Sequence, residues 1–300
     1  MRRVRLVLVA LSFLVATALP ALALKVVPVV ATDDYEYHPA ASANYVAWSV
    51  SVKGHNDLYA EKFGRKPFKV NAKGTEGING GIDGTTLIYQ QFGGGSGSDI
   101  YFFDLRTKDR TKAPRSINTD RWEYWPSLSG DWLLFFRLFN DGGRETILFN
   151  LATGETRTLD ETSGSRHTLG PGQVNGNFVV WEEDTYAGGG TFTACDIIVY
   201  DISNETSTTV PNPNAKCQYG PSVDPSGTVY YGRSGFSCGA NATVNKYPIG
   251  GEPKQLLSLD RGVDFVTTYA VDNADGTVDV YFDEGSCKPS TSDIVKITVS

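Results

Sequence analysis

The feature that most restricts the fold of this chain is a phrase that recurs six times. Each copy has a small or polar turn, a β-rich run that ends in an aromatic residue, a loop, and a second β-rich run that usually opens with an acid. The aromatic positions are Trp48, Tyr89, Phe135, Trp181, Tyr231 and Tyr281, at steps of 41, 46, 46, 50 and 50 residues. Such units predict the four-stranded blades of an all-β propeller. No segment has the apolar stripe of a crossover helix, which argues against a parallel α/β fold.

The two ends of the chain predict how the ring closes. The sixth unit stops at its third strand, DIVKITVS, while a spare β-rich segment from Lys25 to Ala31 precedes the first unit. We therefore expect a six-bladed β-propeller whose last blade is completed by the N-terminal strand, paired with residues 293–299. This pairing would cap an edge that otherwise invites aggregation. Pro28 fits the outer strand of a blade, where a missing N–H breaks no ladder.

The repeat also carries a family resemblance. EYWPSLS at Glu123 with DWLLFFR behind it, SDIYFFDL at Ser98 and NLATGETRTL at Asn150 resemble the PD40 repeat of TolB-like six-bladed propellers. The resemblance is clearest in units two and three and covers residues 25–300, although the S-P-D-G turn of the repeat is S-G-D here. It implies a TolB-like propeller without the separate N-terminal domain of TolB, and a non-catalytic binding role.

Residues 1–23 have the three parts of a secretory signal peptide: the basic MRRVR, an apolar stretch, and the small-residue site at Ala21 and Ala23. We expect cleavage after Ala23 and a single propeller domain over residues 24–300, although this length could also form two domains. A membrane anchor is the alternative, but Pro20 cuts the apolar stretch short of the roughly 20 residues that a span needs. The sequence predicts a secreted, extracellular protein without membrane insertion, or a periplasmic one if the source has an outer membrane.

The charge of the chain restricts its partners. Without residues 1–23 it has 24 basic and 34 acidic residues, a formal charge of −10. This balance argues against nucleic acid, whose phosphates require a basic surface, and weakly favours a cationic partner. We expect a monomer.

Four cysteines, all between residues 195 and 287, indicate two disulfides in an exported protein. In a propeller, the loops that join strand d to strand a and strand b to strand c emerge on one face. The cysteines map to these loops, and of three connectivities, Cys195 with Cys217 and Cys238 with Cys287 joins neighbours. A zinc site is the alternative, but it would favour closer pairs such as C-x-x-C.

The first strand of each unit starts with a polar residue, at the expected mouth of the central channel. These residues are Glu36, Glu76, Glu123, Thr168, Gln218 and Asp264. Converging carboxylates are costly unless a cation offsets them, and oxygen ligands suit Ca²⁺. The hypothesis is an acidic mouth that takes a cationic group or Ca²⁺, with Glu36, Glu76, Glu123 and Asp264 as candidate ligands. The alternative is that these residues bond backbone amides or face water.

A second set of acids opens the third strand of nearly every unit. They are Asp57, Asp99, Glu145, Asp196 and Asp293. Catalysis needs two acids in distinct environments, so this repetition indicates a structural device. The three histidines, His38, His55 and His167, also map to the loop-rich face, where a lyase or metal enzyme would place a base. They have no Ser-His-Asp or H-x-x-x-H spacing.

Aromatic residues flank the acids. Trp122 and Trp125 on either side of Glu123 lack aromatic counterparts in most units, and such platforms beside carboxylates bind sugars or peptides. The alternative for the neighbouring repeat position, which includes Tyr37 and Tyr124, is packing between blades. The Gly-rich runs at Gly93 and Gly188 precede no helix, which argues against a phosphate loop.

Two classes of function follow. The first is a non-catalytic binding propeller whose acidic, aromatic-edged face, with Glu36, His38, Glu76, Trp122, Glu123, Trp125, Gln218 and Asp264, takes a peptide, a protein or a glycan. The second is an extracellular polysaccharide lyase or glycoside hydrolase, because propellers host such enzymes on the same face. The sequence offers no specific, non-repeated acid–base pair, so binding is preferred and no catalytic residue is assigned.

Overall fold

A computed structural model describes residues 24–93, 97–164, 167–187, 191–214, 216–235, 241–259, 262–287 and 290–300. Over these ranges the regular structure consists of 27 strands, numbered β1 to β27 in chain order. No helix in this part of the chain is long and apolar enough to cross a membrane.

The first strand in the chain, β1 (Val27–Val30), precedes blade one. The strands after it form the blades in order. Blades one to three contain β2 (Tyr35–Ala41), β3 (Tyr45–Val52), β4 (His55–Lys62), β5 (Phe68–Lys69); β6 (Glu76–Asp83), β7 (Thr86–Phe92), β8 (Ser98–Asp104), β9 (Arg110–Lys112); β10 (Trp122–Ser129), β11 (Trp132–Leu138), β12 (Arg144–Asn150) and β13 (Thr156–Thr162).

The remaining blades repeat this arrangement. Blades four and five contain β14 (His167–Asn175), β15 (Phe178–Ala187), β16 (Thr191–Asp201), β17 (Thr206–Thr209); β18 (Cys217–Val223), β19 (Thr228–Ser234), β20 (Thr243–Pro248) and β21 (Lys254–Ser258). The last part of the chain forms β22 (Val263–Phe265), β23 (Thr268–Asp272), β24 (Val278–Asp283), β25 (Gly285–Cys287), β26 (Ser290–Thr291) and β27 (Ile294–Val299).

Each of the first five blades is an antiparallel sheet in the chain order a, b, c, d. Blade six has the order β1, β27, β24, β23, so the N-terminal strand supplies its strand d. Val27 lies opposite Lys296 and Val30 opposite Ile294. The predicted closure is therefore confirmed, with a paired strand shorter than the segment from Lys25 to Ala31. Pro28 sits in the outermost strand, where its missing N–H breaks no inner ladder.

The hydrophobic core lies between neighbouring blades. Strand side chains alternate between the two faces of a sheet, and each face meets the next blade; one cluster, for example, joins Phe136 and Leu148 of blade three to Val179 of blade four. The six repeat aromatics are all buried: Trp48, Tyr89, Phe135, Trp181, Tyr231 and Tyr281. The recurring phrase thus marks the layer of packing that holds the ring together.

Blade four has a longer central hairpin than the other blades. Its strands β15 and β16 contain 10 and 11 residues, and their pairing continues to Ala187 opposite Thr191. Cys195 lies within β16, opposite Asp184. The prediction that Cys195 belongs to a loop is therefore wrong, because cross-strand pairing extends past it.

Candidate binding face

The upper face is defined here as the face that carries the d-to-a and b-to-c connections. Just below it, the inner strand of each of the first five blades contains a β-bulge. Three bulge residues have left-handed backbones: His38, Trp125 and Gly220, with φ of 50°, 46° and 55°. Bulges re-aim the chain, and here they bring backbone toward the ring axis. His38 and Trp125 line a small cavity of about 30 Å³ there.

Two side chains lie between this cavity and a lower one. The Tyr269 hydroxyl, on the inner strand of blade six, accepts a hydrogen bond from the Ile82 amide and donates one to its carbonyl, each at 3.0 Å. The Gln173 side chain of blade four donates to the Ala270 carbonyl at 3.4 Å. Tyr269 and Gln173 also line a lower cavity of about 300 Å³. The two side chains therefore lie between the upper and lower ends of the channel.

Side chains from alternate blades hold the three left-handed bulges. The Trp125 amide donates to Gln90 of blade two at 3.2 Å, and the Gly220 amide donates to Glu182 of blade four at 2.9 Å. The His38 amide donates to Asp283 of blade six at 3.1 Å. Each bond joins one blade to the next, so these acceptors position the bulges as well as the blades.

The junction of blades six and one contains two titratable residues, the buried Asp283 and the partly buried His38. Burial raises the pKa of Asp283 to about 7, although the amides of Thr267 and His38 donate to its carboxyl group and oppose that shift. Burial lowers the pKa of the His38 imidazole to about 4. His38 is therefore neutral at physiological pH, and the ring closure depends on a carboxyl group that titrates near neutrality.

Blade four contains a buried pair, Glu182 and Asp184, two residues apart on the same side of β15. Burial raises the pKa of both carboxyl groups, and the Asp184 charge raises that of Glu182 further. Arg144 and the Thr168 hydroxyl, 3.4 Å from Asp184, favour the ionised form of Asp184. The contacts of Asp184 thus oppose the rise in its pKa, whereas the Asp184 charge adds to the rise in the pKa of Glu182.

Three of the predicted channel-mouth residues are buried between strands: Glu36, Glu123 and Gln218. Glu123 forms an ion pair with Arg137 at 3.0 Å and accepts the Thr119 hydroxyl at 2.6 Å. Glu36 accepts the Thr32 hydroxyl, and Gln218 donates to the Pro211 carbonyl at 3.1 Å. These contacts run to separate partners, each near its own residue in the chain. Their role in ligand or Ca²⁺ binding stays a prediction.

The other predicted channel-mouth residues have different surroundings. Glu76 is partly exposed and accepts the amide and the side chain of Asn56, at 3.1 and 2.9 Å. His55 lies 3.2 Å from Asp57 and 3.7 Å from Glu76. The side chain of Asp264 lies outside the described part of the chain, so its predicted role as a ligand also stays a prediction.

Contacts of the acids that open strand c agree with a structural role. Asp57 pairs with Lys69 at 2.6 Å and Asp99 with Lys112 at 2.8 Å. Both lysines lie in the strand d that pairs with the acid's own strand. These ion pairs thus join strands c and d, as the repetition of the acids indicates.

The two tryptophans predicted to bind a ligand differ in exposure. Trp122 is 45% exposed on the upper face, with its ring edge against Phe92 at 6.0 Å between centroids. Trp125 is partly buried and packs against Tyr124 at 4.9 Å and Phe136 at 6.1 Å. Only Trp122 presents a large free ring area, because Trp125 contributes to the core between blades three and four.

A groove on the upper face of blade one combines aromatic and charged groups. Its volume is about 510 Å³, and it is lined by Asp33, Asp34, Tyr35, Tyr37, Ser51, Val52, Lys53 and Asn56. The Tyr35 and Tyr37 rings are 5.9 Å apart, and Asp33, Asp34 and Lys53 are exposed. Pockets that bind small ligands have this size and this mixture of rings and polar groups.

One of the two predicted disulfides is present: Cys195 is bonded to Cys217, which joins strand c of blade four to strand a of blade five. Cys238 lies outside the described residues, and so does the side chain of Cys287. The pairing of these two cysteines therefore stays a prediction.

Reasoning from the repeat missed several residues that the fold places near the axis. Glu182 and Asp184 directly follow the repeat aromatic Trp181, and their spacing of two places both on one side of a strand. That alternation was a usable signal for a carboxyl pair. No comparable signal marks Tyr269 or Asp283, because their partners are in other blades.

Comparison with known proteins supports the architecture. No protein-family model and no curated protein matches the chain. Among solved structures, a putative TolB from Agrobacterium tumefaciens superposes with a TM-score of 0.61 at 14% identity, over 90% of this chain and 92% of that one. TolB from Acinetobacter baumannii gives 0.54 at 17% identity, over 86% of this chain and 64% of that one.

A third solved structure is named as an enzyme. The oligogalacturonate lyase from Vibrio parahaemolyticus superposes with a TM-score of 0.51 at 11% identity, over 91% of this chain and 85% of that one. At these identities the likeness establishes the fold alone. The chain is a six-bladed β-propeller. Within that class, its fold is TolB-like.

Proposed function

We propose that this protein is a non-catalytic binding propeller whose upper face takes a peptide, a protein or a glycan. The observation that carries the proposal is the blade-one groove, where the rings of Tyr35 and Tyr37 lie beside exposed charges. Aromatic rings that have a solvent-exposed polar group at one end can bind both sugars and peptides. Trp122 adds a second exposed ring to the same face.

The occupant should be cationic or neutral. The net charge of residues 24–300 is strongly negative, and Asp33 and Asp34 are exposed at the groove. The negative electrostatic potential of such a surface favours positively charged partners and speeds their association at low salt. We therefore expect weaker binding as the ionic strength rises.

The proposed location is outside the cytoplasm. The Cys195–Cys217 disulfide supports this, since such bonds persist in oxidising compartments. The proposed signal peptide, residues 1–23, lies outside the described residues. N-terminal sequencing of the exported protein tests the assignment, and a first residue of Leu24 is expected.

The binding proposal is tested by screening the exported chain on glycan and peptide arrays, followed by titration of each hit. We expect Trp122→Ala and Asp34→Asn to weaken binding by about tenfold or more, which corresponds to about 1.4 kcal/mol, with unchanged melting. Phe63→Ala is the matched control, because this aromatic residue is 41% exposed beyond the lower end of its strand. Equal loss in all three variants, or no loss in the first two, contradicts the proposed face.

A carbohydrate-active enzyme, either a polysaccharide lyase or a glycoside hydrolase, is the second candidate. The observation that favours it is the pair Glu182 and Asp184, because general acid–base chemistry needs two carboxyl groups in different surroundings, and different neighbours act on the pKa of each. Any glycan hit should therefore be incubated with the protein and analysed for shortened products. Product release that Glu182→Gln abolishes would replace the binding proposal with this one.

A further inference from the structure

The junction of blades four and five brings a disulfide and a buried carboxyl group together. Cys195 in β16 is bonded to Cys217 in β18 across the junction. Asp184 in β15 faces Cys195 in the strand pair. A carboxylate oxygen of Asp184 and the two sulfur atoms all lie within 4.8 Å of one another.

The carboxyl group of Asp184 has unused bonding capacity. Asp184 is only 7% exposed. Apart from the neighbouring Glu182 carboxyl group, its Oδ1 has no hydrogen-bond donor among the residues that the structure describes. A buried oxygen of this kind is costly, and a cation beside it would offset the cost. In the oxidised protein no cation is expected there, because disulfide sulfurs are not thiolate ligands.

We propose that reduction of the Cys195–Cys217 disulfide turns this junction into a site for a thiophilic divalent cation, with zinc as the natural occupant. The ligands are the two thiolates and the Asp184 carboxylate, and water or Glu182 completes a tetrahedron. Zinc takes sulfur and carboxylate ligands at about 2.0 to 2.3 Å. The three donor atoms lie within 4.8 Å of one another, and after the S–S bond is broken the two sulfur atoms must move apart to about 3.8 Å to bind one ion.

The conversion from the disulfide to the metal site requires a dithiol reductant. A dithiol reductant supplies two electrons and two protons, the S–S bond breaks, and the reductant becomes a cyclic disulfide. The two cysteine thiols then release their protons to water as the ion binds, so affinity rises with pH. The ion connects β15 and β16 to β18, so blades four and five stay cross-linked whether the sulfurs are oxidised or reduced.

The test uses the full chain with Cys238→Ser and Cys287→Ser, so that only the proposed pair of thiols remains. The protein is reduced with dithiothreitol, desalted without oxygen and titrated with Co²⁺. We expect one ion per chain and a thiolate-to-cobalt charge-transfer absorption, which zinc should then abolish by displacement. The oxidised form of the same variant should give neither signal.

Two variants in that background isolate the carboxylate. Asp184→Asn should weaken binding by more than about tenfold, because even partners outside the ligand shell are worth that much. Glu183→Gln is the matched control and should bind as the parent does, because its carboxylate lies near His167, at 4.0 Å. Equal affinity of the Asp184→Asn and Glu183→Gln variants would overturn the assignment.

A second measurement covers the case in which the serine substitutions disturb folding. In the reduced protein of natural sequence, zinc should slow the alkylation of Cys195 and Cys217. Mass spectrometry of the peptides measures the rate of alkylation at each cysteine. Unchanged alkylation rates at these two residues overturn the proposal. So does cobalt binding that survives Cys195→Ser with Cys217→Ser.

Discussion

Buried polar side chains in this propeller join strands and blades. Glu123 is fully buried, and its ion pair with Arg137 lies between strands a and b of blade three. Gln90, Glu182 and Asp283 each accept an amide from the following blade. Because a buried polar group without a partner is costly, these side chains restrict how neighbouring strands can sit.

Removal of the Glu123 carboxylate should destabilise the protein strongly. In Glu123→Ala, the partly buried Arg137 loses its partner at 3.0 Å and keeps Glu145 at 3.8 Å, so we expect the free energy of unfolding to fall by about 1.5–3 kcal/mol. Urea denaturation measures this. The control is Glu155→Ala, which breaks the exposed pair with Arg157 and should cost less than about 1 kcal/mol. Equal effects would contradict a structural role for Glu123.

The Asp283 carboxyl group should make stability depend on pH. Because burial raises its pKa from 3.8 to about 7, the folded state binds more protons than the unfolded state between these values. Its contribution is therefore present below about pH 4 and is lost as the pH rises towards 7. We expect Asp283→Asn to reduce the fall in unfolding free energy between pH 4.5 and 8. Glu182 and Asp184 contribute in the same direction, so part of the slope should remain. An unchanged slope in the variant would refute the role of Asp283.

At the scale of the strand, β1 is the short element on which ring closure depends. It contains four residues and completes the outer edge of blade six. Without it, β27 would expose unpaired backbone groups, and such edges recruit other chains. The segment before blade one is therefore part of the fold rather than a linker.

Deletion of Lys25 to Ala31 should unfold or oligomerise the protein. Size-exclusion chromatography with light scattering and a thermal melt measure the two outcomes. Replacement of the same residues by a Gly/Ser sequence of equal length is the control for chain length, and it should fail like the deletion. A stable monomer after deletion would contradict the closure.

The sequence predicted the strands and their order better than it predicted the contacts of the candidate site. The repeat aromatics such as Trp48 and Trp181 predicted the blades, because each one occupies the same buried position in its repeat. The spare segment at Lys25 predicted the closure by a count of strands. By contrast, the partner of Asp283 in blade one could not be predicted, because it depends on a bulge and on register between blades. The long hairpin that places Cys195 within a strand depends on the same pairing.

At the scale of the whole molecule, two side chains join blades that are not neighbours in the ring. Tyr269 connects blade six to blade two through both polar groups of Ile82, and Gln173 connects blade four to blade six. The sequence distance between Tyr269 and Ile82 is 187 residues. These bonds brace the ring across its axis in addition to the packing between neighbours.

Loss of the Tyr269 hydroxyl should weaken this brace. Tyr269→Phe leaves the amide and carbonyl of Ile82 without their partner, and we expect a fall in unfolding free energy of about 1–3 kcal/mol. Denaturation by urea measures it. Tyr45→Phe, at another buried tyrosine, is the control and should have a smaller effect. A neutral Tyr269→Phe would show that the brace contributes little.

The two side chains on the axis also connect the two cavities to each other. Tyr269 and Gln173 line the upper cavity and the lower cavity. A change in either side chain therefore alters the walls of both cavities at once.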